Sequence, residues 1–307
     1  MLLPISRRRL LMGLAATGLA ARWPYVFAAG DEAPITRPIP STGESLPVIG
    51  MGTWRTFNVG TDPVLLDERA RVLEHFFERG GRMVDSSPMY GSAEEALGQL
   101  IERLTPGDNL FAATKVWTRD EDETRQAVAR SEALWGVAPL DLMQIHNLLG
   151  WEGHLETLKQ MKAEGRLRYI GVTTSHGRRH DEIEQIMTRE PLDFVQLTYN
   201  MADREADKRL LPLARERGIA VIANRPFQGG RLFDRVRSRP LPDWAGEIGA
   251  KTWAAFFLKF IVSHPAMTCA IPATTQVAHM RENMGALYGR LPDDAQRQRM
   301  IDIVREL

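Results

Sequence analysis

Four residues whose side chains could together carry out chemistry stand at or just after the ends of apolar segments: Asp85, Tyr90, Lys115 and His146. Reduction of a carbonyl group by hydride transfer develops negative charge on its oxygen, so a proton donor must lie beside that oxygen. Free tyrosine, with a pKa of about 10, is a weak acid at neutral pH, and a neighbouring ammonium group lowers that pKa. We therefore predict that Tyr90 donates the proton, that Lys115 lowers its pKa, and that Asp85 keeps Lys115 charged and in position.

The fourth residue, His146, could donate a hydrogen bond to the substrate oxygen or relay the proton, and its tautomer stays open. Each of the four residues also has a purely structural explanation. Asp85 could cap a turn, Lys115 could be a solvated strand end, and Tyr90 could serve packing. A lone histidine is more often a hydrogen-bonded, half-buried residue than a catalyst. The combination of four complementary groups favours the catalytic interpretation.

The elements that would position these residues alternate from Leu46 onward, with short apolar runs separated by amphipathic segments. This alternation is typical of a parallel sheet with helical crossovers. The candidate strands are Val48–Trp54, Arg82–Ser86, Leu110–Val116, Leu140–His146, Tyr169–Thr174, Phe194–Tyr199, Ala220–Asn224 and Thr268–Ile271.

The segments between the strands carry apolar residues near a period of 3.6 and are predicted to be helices. They are Pro63–Arg79, Ala93–Arg103, Glu121–Trp135, Glu152–Ala163, Asp181–Thr188, Arg204–Arg217, Lys251–Val262 and Val277–Leu287. Eight strands and eight helices predict an α/β protein with a (β/α)₈ TIM barrel, in which polar residues at strand C-termini line the active-site mouth. An open doubly wound sheet would need a G-x-G-x-x-G turn after an early strand, and the sequence has none. Residues 228–250 are predicted to form a long functional loop.

The composition is that of an ordinary globular enzyme, with 307 residues, 44% of them hydrophobic. The 39 basic and 39 acidic side chains cancel, so overall charge predicts neither nucleic acid nor an anionic membrane surface as a partner. Cys269 is the only cysteine, which excludes an intramolecular disulfide.

The N-terminus has a different character from the rest of the chain. A basic stretch, Ser6–Arg9, precedes an uncharged run, Leu10–Ala21, and small residues near Val26–Ala28. This order is typical of a cleaved export signal, and the uncharged run is shorter than the roughly 20 apolar residues of a membrane span. The paired arginines resemble the bacterial twin-arginine signal. We predict an export signal over residues 1–29, a single barrel domain over 30–307 without a stable membrane span, the twin-arginine machinery as a partner, and a periplasmic or otherwise exported location.

Five separated stretches closely resemble the aldo-keto reductases in order and spacing. They are Val48–Trp54, Val84–Gly91, Ala113–Trp117, Gln144–Asn147 and Ile170–Val172, and the resemblance extends from about Leu46 to the C-terminus. It implies an NADPH- or NADH-dependent reductase of a small aldehyde or ketone, with the four catalytic residues named above and no metal.

The resemblance also implies binding residues. Trp54 and Trp117 would line the substrate pocket. The residues implied for the cofactor are Gly52, Thr53, Thr173, Thr174, Gln196, Asn224, Arg225, Phe227, Gly229, Thr274, Thr275, His279, Glu282 and Asn283. Among them, Thr173, Thr174 and Gln196 would hold the carboxamide, and the loop containing Gly229 would cross the pyrophosphate.

The sequence departs from the family pattern in two places. Asn224 stands where the family usually has a tyrosine that stacks on the nicotinamide ring, although the neighbouring Arg225 could offer a planar guanidinium instead. Ala273 and His279 replace the usual lysine and arginine that contact the 2′-phosphate, which weakens a charge-assisted clamp. The expectation is therefore only slightly in favour of NADP(H) over NAD(H).

Two other functions fit the same sequence. Nicotinamide nucleotides are expected to be scarce outside the cytoplasm, so an exported barrel could be a nucleotide-sensing or partner-binding module with little turnover. It could also be an enzyme that receives its cofactor before export and is recycled by a redox partner.

Overall fold

A computed structural model describes residues 33–306, and the predicted export signal of residues 1–29 lies outside them. Eight parallel strands form the central sheet. They are β3 (Met51–Gly52), β4 (Met83–Asp85), β5 (Phe111–Val116), β6 (Leu142–Ile145), β7 (Tyr169–Thr173), β8 (Phe194–Thr198), β9 (Ala220–Asn224) and β10 (Met267–Ala270). Each strand pairs with the next in sequence order.

The two edge strands of the sheet meet and close it into a barrel. Gly50 N donates to Ala270 O at 2.9 Å, Ala270 N donates to Val48 O at 2.9 Å, and Gly52 N donates to Pro272 O at 3.0 Å. The predicted (β/α)₈ barrel is thereby confirmed. The first strand is much shorter than predicted, because beyond Met51–Gly52 this segment pairs only through an isolated bridge between Ile49 and Ala270.

A hairpin that the sequence did not reveal precedes the barrel. Its antiparallel strands are β1 (Thr36–Pro38) and β2 (Ser45–Pro47). Ile39 and Leu46 of this hairpin belong to the same buried cluster as barrel residues such as Phe111 and Phe194. The hairpin therefore contributes apolar side chains to the barrel's inner core.

Ten helices are described within residues 33–306. They are α1 (Pro63–Glu78), α2 (Ala93–Leu104), α3 (Thr124–Trp135), α4 (Trp151–Ala163), α5 (His180–Arg189), α6 (Leu210–Arg217), α7 (Arg231–Val236), α8 (Trp253–Val262), α9 (Val277–Gly285) and α10 (Asp294–Arg305). A larger apolar cluster packs their inner faces against the strands.

Two helix predictions need correction. The segment predicted as one helix over Arg204–Arg217 is a 3₁₀ turn, Glu205–Lys208, followed by α6, because the backbone leaves helical geometry at Arg209 with φ of −142°. The predicted loop over residues 228–250 contains α7 and a 3₁₀ helix, Asp243–Ile248, and it buries Leu232 and Ile248 completely. Apolar side chains that reach the core therefore order this segment.

None of the helices described for residues 33–306 combines the length and apolar character needed to cross a membrane.

Gly98 gives a test of the packing between α2 and α3. A Cβ atom at Gly98 would lie 1.9 Å from the backbone oxygen of Leu134, a contact that requires the two helices to move apart. Although alanine is the better helix former by about 1 kcal/mol, we expect Gly98→Ala to lower the free energy of unfolding by on the order of 2 kcal/mol. Urea unfolding followed by circular dichroism measures the change.

Gly285 in α9 is the matched control, because a Cβ atom there meets no other atom within 4 Å. We expect Gly285→Ala to leave stability unchanged or to raise it slightly. Equal stability of Gly98→Ala and the wild type would show that the described helix contact is wrong.

Candidate active site

The C-terminal ends of the barrel strands surround a cavity of about 370 Å³. Twelve of the predicted site residues line it: Gly52, Thr53, Trp54, Asp85, Tyr90, His146, Thr173, Gln196, Asn224, Arg225, Phe227 and Gly229. Parallel strands end at the same edge of a barrel, which is why residues distant in sequence converge there.

The centre of the site is an ion pair between neighbouring strands. Asp85 is the last residue of β4, and Lys115 lies near the end of β5. The Lys115 ammonium donates to Asp85 Oδ2 at 2.6 Å and to the Ser86 backbone oxygen at 2.7 Å. Lys115 is 1% exposed and Asp85 is 2% exposed. Lys115 is therefore not a solvated strand end.

Two amides complete the coordination of Asp85. Gln144 Nε2 and Gln196 Nε2 donate to Asp85 Oδ1 at 3.0 and 2.9 Å. Gln144 was not predicted as a site residue, and Gln196 was predicted only to bind the cofactor. In the structure Gln196 faces the cavity and also holds Asp85, so both carboxylate oxygens are satisfied.

The Tyr90 phenol lies next to this pair, with Lys115 Nζ 5.3 Å from the ring centroid. Burial raises the pKa of Tyr90; the Lys115 ammonium acts in the opposite direction, and the Asp85 carboxylate adds to the increase. Lys115 therefore acts to lower the Tyr90 pKa, as predicted. The prediction that the Tyr90 pKa is lower than usual is wrong for this structure, because the desolvation of Tyr90 has a larger effect than the Lys115 charge. For Lys115, burial opposes the charged form, yet Asp85 and Tyr90 together raise its pKa, so the amine stays protonated.

His146 is buried at the cavity wall, with 4% of its surface exposed. Burial and, to a smaller extent, the Lys115 charge lower the pKa of His146 to about 3. Its ring lies edge-on to Tyr90, with centroids 5.8 Å apart. The imidazole is therefore neutral at physiological pH, and it can act on a substrate only as a neutral hydrogen-bonding group.

Ser87 fixes the tautomer of this neutral imidazole. Its Oγ lies 2.7 Å from His146 Nδ1 and accepts a hydrogen bond from Met89 N at 3.2 Å. Ser87 is fully buried, and among the described residues His146 Nδ1 is the acceptor available to its hydroxyl hydrogen. Because a buried donor needs an acceptor, Nδ1 accepts and the proton of His146 sits on Nε2. His146 thus supplies an Nε2–H donor.

Several implied cofactor residues are arranged as a binding site. Thr173 lines the cavity, while the Oγ1 atom of Thr174 and the Oε1 atom of Gln228 are buried without a hydrogen-bond partner. The absence of a side chain at Gly52 allows the Ile271 backbone to approach closely at the cavity wall, since a Cβ at Gly52 would lie 2.9 Å from Ile271 O. Thr174 and Gln228 do not line the cavity themselves, but each directly follows a residue that does, Thr173 and Phe227. Unpartnered buried polar atoms so close in the chain to a cavity wall fit a polar ligand, so these residues are compatible with a nicotinamide nucleotide. Thr53 also lines the cavity, but its hydroxyl is engaged within the protein instead of being free for a ligand. Its Oγ1 lies 3.0 Å from Asp85 O and 2.9 Å from Ser86 Oγ.

Asn224 is engaged within the protein. Its Nδ2 donates to Thr174 O at 2.7 Å, and its Oδ1 accepts from Thr198 Oγ1 at 2.7 Å. These two hydrogen bonds fix the orientation of the Asn224 side-chain amide. The role of Asn224 in the structure is therefore to hold the backbone of Thr174 in position. Next to it, Arg225 has a left-handed backbone with φ of 51°, and Phe227 packs on Phe233 with centroids 4.8 Å apart.

The residues predicted for the adenosine phosphate do not line the cavity. Thr274 is buried and its Oγ1 accepts from Gln276 N at 3.1 Å, while Thr275 is exposed and its backbone oxygen accepts from Arg69. In α9, His279 is exposed, Glu282 is half-buried and Asn283 is buried. Their role in binding stays a prediction.

The two predicted substrate residues have exposed rings at the cavity mouth. Trp54 lines the cavity and is 37% exposed. Trp117 is 39% exposed and lies 4.9 Å from the His146 ring, measured between centroids, although it does not line the cavity itself. Neither tryptophan is part of the barrel core.

Gly230 also lines the cavity, beside Gly229 in the loop that the resemblance assigns to the pyrophosphate. Eight further lining residues had no predicted binding role. They are Met89, Asn147, Ser175, His176, Pro226, Phe233, Ile271 and Ala273. Six of them, Asn147, Ser175, His176, Pro226, Ile271 and Ala273, lie within three residues after the end of a strand, which is the signal that could have found them.

Among residues 33–306, no group of three or more His, Cys, Asp or Glu side chains is placed to hold a metal ion.

Comparison with known proteins identifies the family. The aldo/keto reductase family profile matches residues 48–303. The methylglyoxal reductase YeaE of Escherichia coli is 25% identical over 250 residues, covering 79% of this chain and 86% of that protein. The NADH-specific methylglyoxal reductase of E. coli is 25% identical over 253 residues, covering 70% and 74%. A Klebsiella pneumoniae aldo/keto reductase, solved with NADP and acetate, superposes with a TM-score of 0.72 at 24% identity, covering 85% of this chain and 92% of that one.

The chain belongs to the aldo/keto reductase family. It is an NAD(P)H-dependent carbonyl reductase, and the predicted reaction class is confirmed.

The Ser87 hydrogen bond gives a test of the His146 tautomer. We expect Ser87→Ala to release Nδ1 and to mix the two tautomers of His146, because the donor that selects one of them is lost. The kcat/KM for carbonyl reduction should fall by about tenfold, the loss of a hydrogen bond of ordinary strength. Nitrogen-15 NMR of labelled histidine reports the tautomer directly.

Thr124→Ala serves as the control, since Thr124 Oγ1 lies 2.6 Å from Nδ1 of another buried histidine, His154. It should shift only the His154 signals. A wild-type His146 that carries its proton on Nδ1 would contradict the assignment.

Proposed function

We propose that this protein reduces small aldehydes or ketones, with Tyr90 donating the proton to the carbonyl oxygen. The observation that carries the proposal is the buried Lys115–Asp85 ion pair beside the Tyr90 phenol, at the end of a cavity that opens to solvent. A bound nicotinamide nucleotide would supply the hydride to the carbonyl carbon. Thr173, Thr174, Arg225 and Gly229 are the residues that would hold it.

The protein's own residues then act on the carbonyl oxygen in a defined way. His146 Nε2–H donates a hydrogen bond to it, and Tyr90 Oη–H transfers its proton to it. As the proton leaves, negative charge forms on Tyr90 Oη beside the Lys115 ammonium, which stabilises that charge. Asp85 keeps Lys115 protonated throughout. Because His146 is neutral, no second positive charge competes with the transfer.

Tyr90→Phe tests the proton donor. We expect kcat for reduction of methylglyoxal, the substrate class named for two E. coli relatives, to fall by about 100-fold or more, the usual effect of losing a general acid. Fluorescence titration should show unchanged nucleotide binding, since the fold and the binding residues stay in place.

Tyr169→Phe is the control, because it removes a phenol hydroxyl that bonds to Glu44 and Thr42 instead of facing the cavity. Equal activity in Tyr90→Phe and the wild type would refute the mechanism. Retention of one nucleotide without turnover in the wild type would favour the sensing role instead.

The pH dependence of the reaction follows from the two side chains with shifted pKa values, Tyr90 and His146. Tyr90 has a raised pKa and stays protonated well into the alkaline range, while His146, with a pKa of about 3, stays neutral above mildly acidic pH. We therefore expect kcat/KM for reduction to be flat between about pH 5 and about pH 9 and to decline only above that range. A pH profile with an inflection near 6.5, the ordinary histidine value, would contradict a neutral His146.

For the cofactor we propose a slight preference for NADP(H) over NAD(H). Thr274, the N-terminus of α9 and Arg281 are the groups that would contact a 2′-phosphate, while Ala273 and His279 supply no fixed positive charge. Among similar proteins, the K. pneumoniae enzyme was solved with NADP, and one E. coli relative is NADH-specific. The ratio of the two dissociation constants, measured by fluorescence titration, decides the preference.

We also propose that the chain is exported through the twin-arginine machinery to the periplasm. The support is the order of a basic stretch, an uncharged run and small residues over residues 1–29. Fractionation of cells that express the full-length chain should find it in the periplasm, and the double variant Arg7→Lys/Arg8→Lys should stay in the cytoplasm. A cytoplasmic location for both proteins would contradict export.

A further inference from the structure

One side of the cavity mouth carries an excess of positive charge. His176 and Arg225 line the cavity. Arg55 and Arg231 directly follow the lining residues Trp54 and Gly230, and Arg178 lies two residues after His176. We call Arg55, Arg178, Arg225 and Arg231 the mouth arginines. Within residues 33–306, none of the four lies within 4.0 Å of a carboxylate oxygen.

The charges of these residues act on one another. Burial lowers the pKa of Arg225, and Arg231, Arg178 and Arg55 lower it further, whereas Asp203 opposes them. The pKa of His176 is lowered in the same way, by burial and then by Arg225, Arg178 and Arg231. Arg179 shows the contrast, because it forms an ion pair with Glu182 and donates to Asn147 O. Arg225 is thus repelled by the other three mouth arginines, with the Asp203 carboxylate acting against them, and the remaining excess of positive charge favours an anionic ligand.

The backbone holds three of these side chains in an unfavourable conformation. Arg55, His176 and Arg225 have φ values of 63°, 63° and 51°, in the left-handed region that residues with a Cβ atom rarely adopt. Such positions persist where the surrounding structure enforces them, and they are frequent at ligand sites. Their presence at the same mouth indicates that the fold enforces this backbone conformation at the base of the three side chains.

An apolar surface adjoins the positive one. Trp54, Met89 and Trp117 are 37%, 39% and 39% exposed, and Trp54 and Met89 line the cavity. The Arg55 guanidinium lies 4.6 Å from the Trp54 ring centroid. A ligand with a flat apolar body and a negative group would meet both surfaces at once.

We propose that two of the mouth arginines, Arg55 and Arg178, form an anion subsite for the substrate, so that the preferred substrates are aldehydes or ketones whose apolar body carries a carboxylate. The proposal rests on the proposed function and names its substrate class. Arg225 Nη2 lies 3.6 Å from the Cβ position of Gly229, so Arg225 borders the loop that the resemblance assigns to the pyrophosphate. Arg55 and Arg178 are the members that remain for the substrate.

A matched pair of substrates tests the subsite. 4-Carboxybenzaldehyde and methyl 4-formylbenzoate share the aldehyde and the ring and differ in charge. We expect the wild type to have the higher kcat/KM for the carboxylate, and we expect this preference to shrink with rising salt because exposed charges are screened. Arg178→Gln and Arg55→Gln should each lower the preference by about tenfold, the effect of losing one charge-assisted hydrogen bond. The change should appear mainly in KM.

The control is Arg189→Gln, which removes an exposed arginine at the C-terminal end of α5 and should leave the preference unchanged. Fluorescence titration of NADPH with each variant distinguishes the two possible anions. An unchanged NADPH dissociation constant together with a lost carboxylate preference supports the proposal. A weaker NADPH affinity with an equal loss for both substrates would assign the arginines to the cofactor and overturn it, as would a wild type without preference. Failure to reduce either aldehyde would instead refute the proposed function.

Discussion

The ion pair between Lys115 and Asp85 is the interaction on which the rest of the site depends. A buried ion pair is expensive, because both charges lose their hydration, and it is stable only where further hydrogen bonds satisfy the remaining atoms. Here Ser86 O, Gln144 and Gln196 provide them. The pair bridges β4 and β5, so the barrel's strand register determines the position of the charge.

The pair determines the protonation of its neighbours. Its positive end lies beside the Tyr90 ring, where it stabilises a phenolate only when one forms, since burial keeps the resting phenol protonated. The same positive charge and burial keep His146 neutral. Before the reaction, the site therefore offers a carbonyl oxygen two neutral hydrogen-bond donors, Tyr90 and His146. The positive charge of Lys115 lies next to Tyr90. Such an arrangement favours the charge distribution of the transition state over that of the substrate.

The four catalytic candidates could be predicted from the sequence because parallel barrel strands deliver their C-terminal residues to one face. Composition and spacing could not show that Tyr90 itself is desolvated, and this burial is why its pKa is raised although Lys115 acts to lower it. Ser87 has no signal of its own in the sequence, since its importance depends on its distance to His146. Gln196 could be placed at the cavity, but its bond to Asp85 depends on a side-chain rotamer. The β1–β2 hairpin was missed because three-residue strands carry too little periodicity to be recognised.

The central claim is that the positive charge of Lys115 accelerates proton transfer from Tyr90. The most direct measurement is the rate of hydride transfer in a single turnover of Lys115→Met, with nucleotide already bound and its absorbance followed. Asp85→Asn is combined with this change so that no unpaired buried carboxylate destabilises the fold. The rate of the double variant should be at least about 100-fold below that of the wild type at neutral pH, with unchanged nucleotide affinity and unchanged circular dichroism. A rate equal to that of the wild type would contradict the central claim.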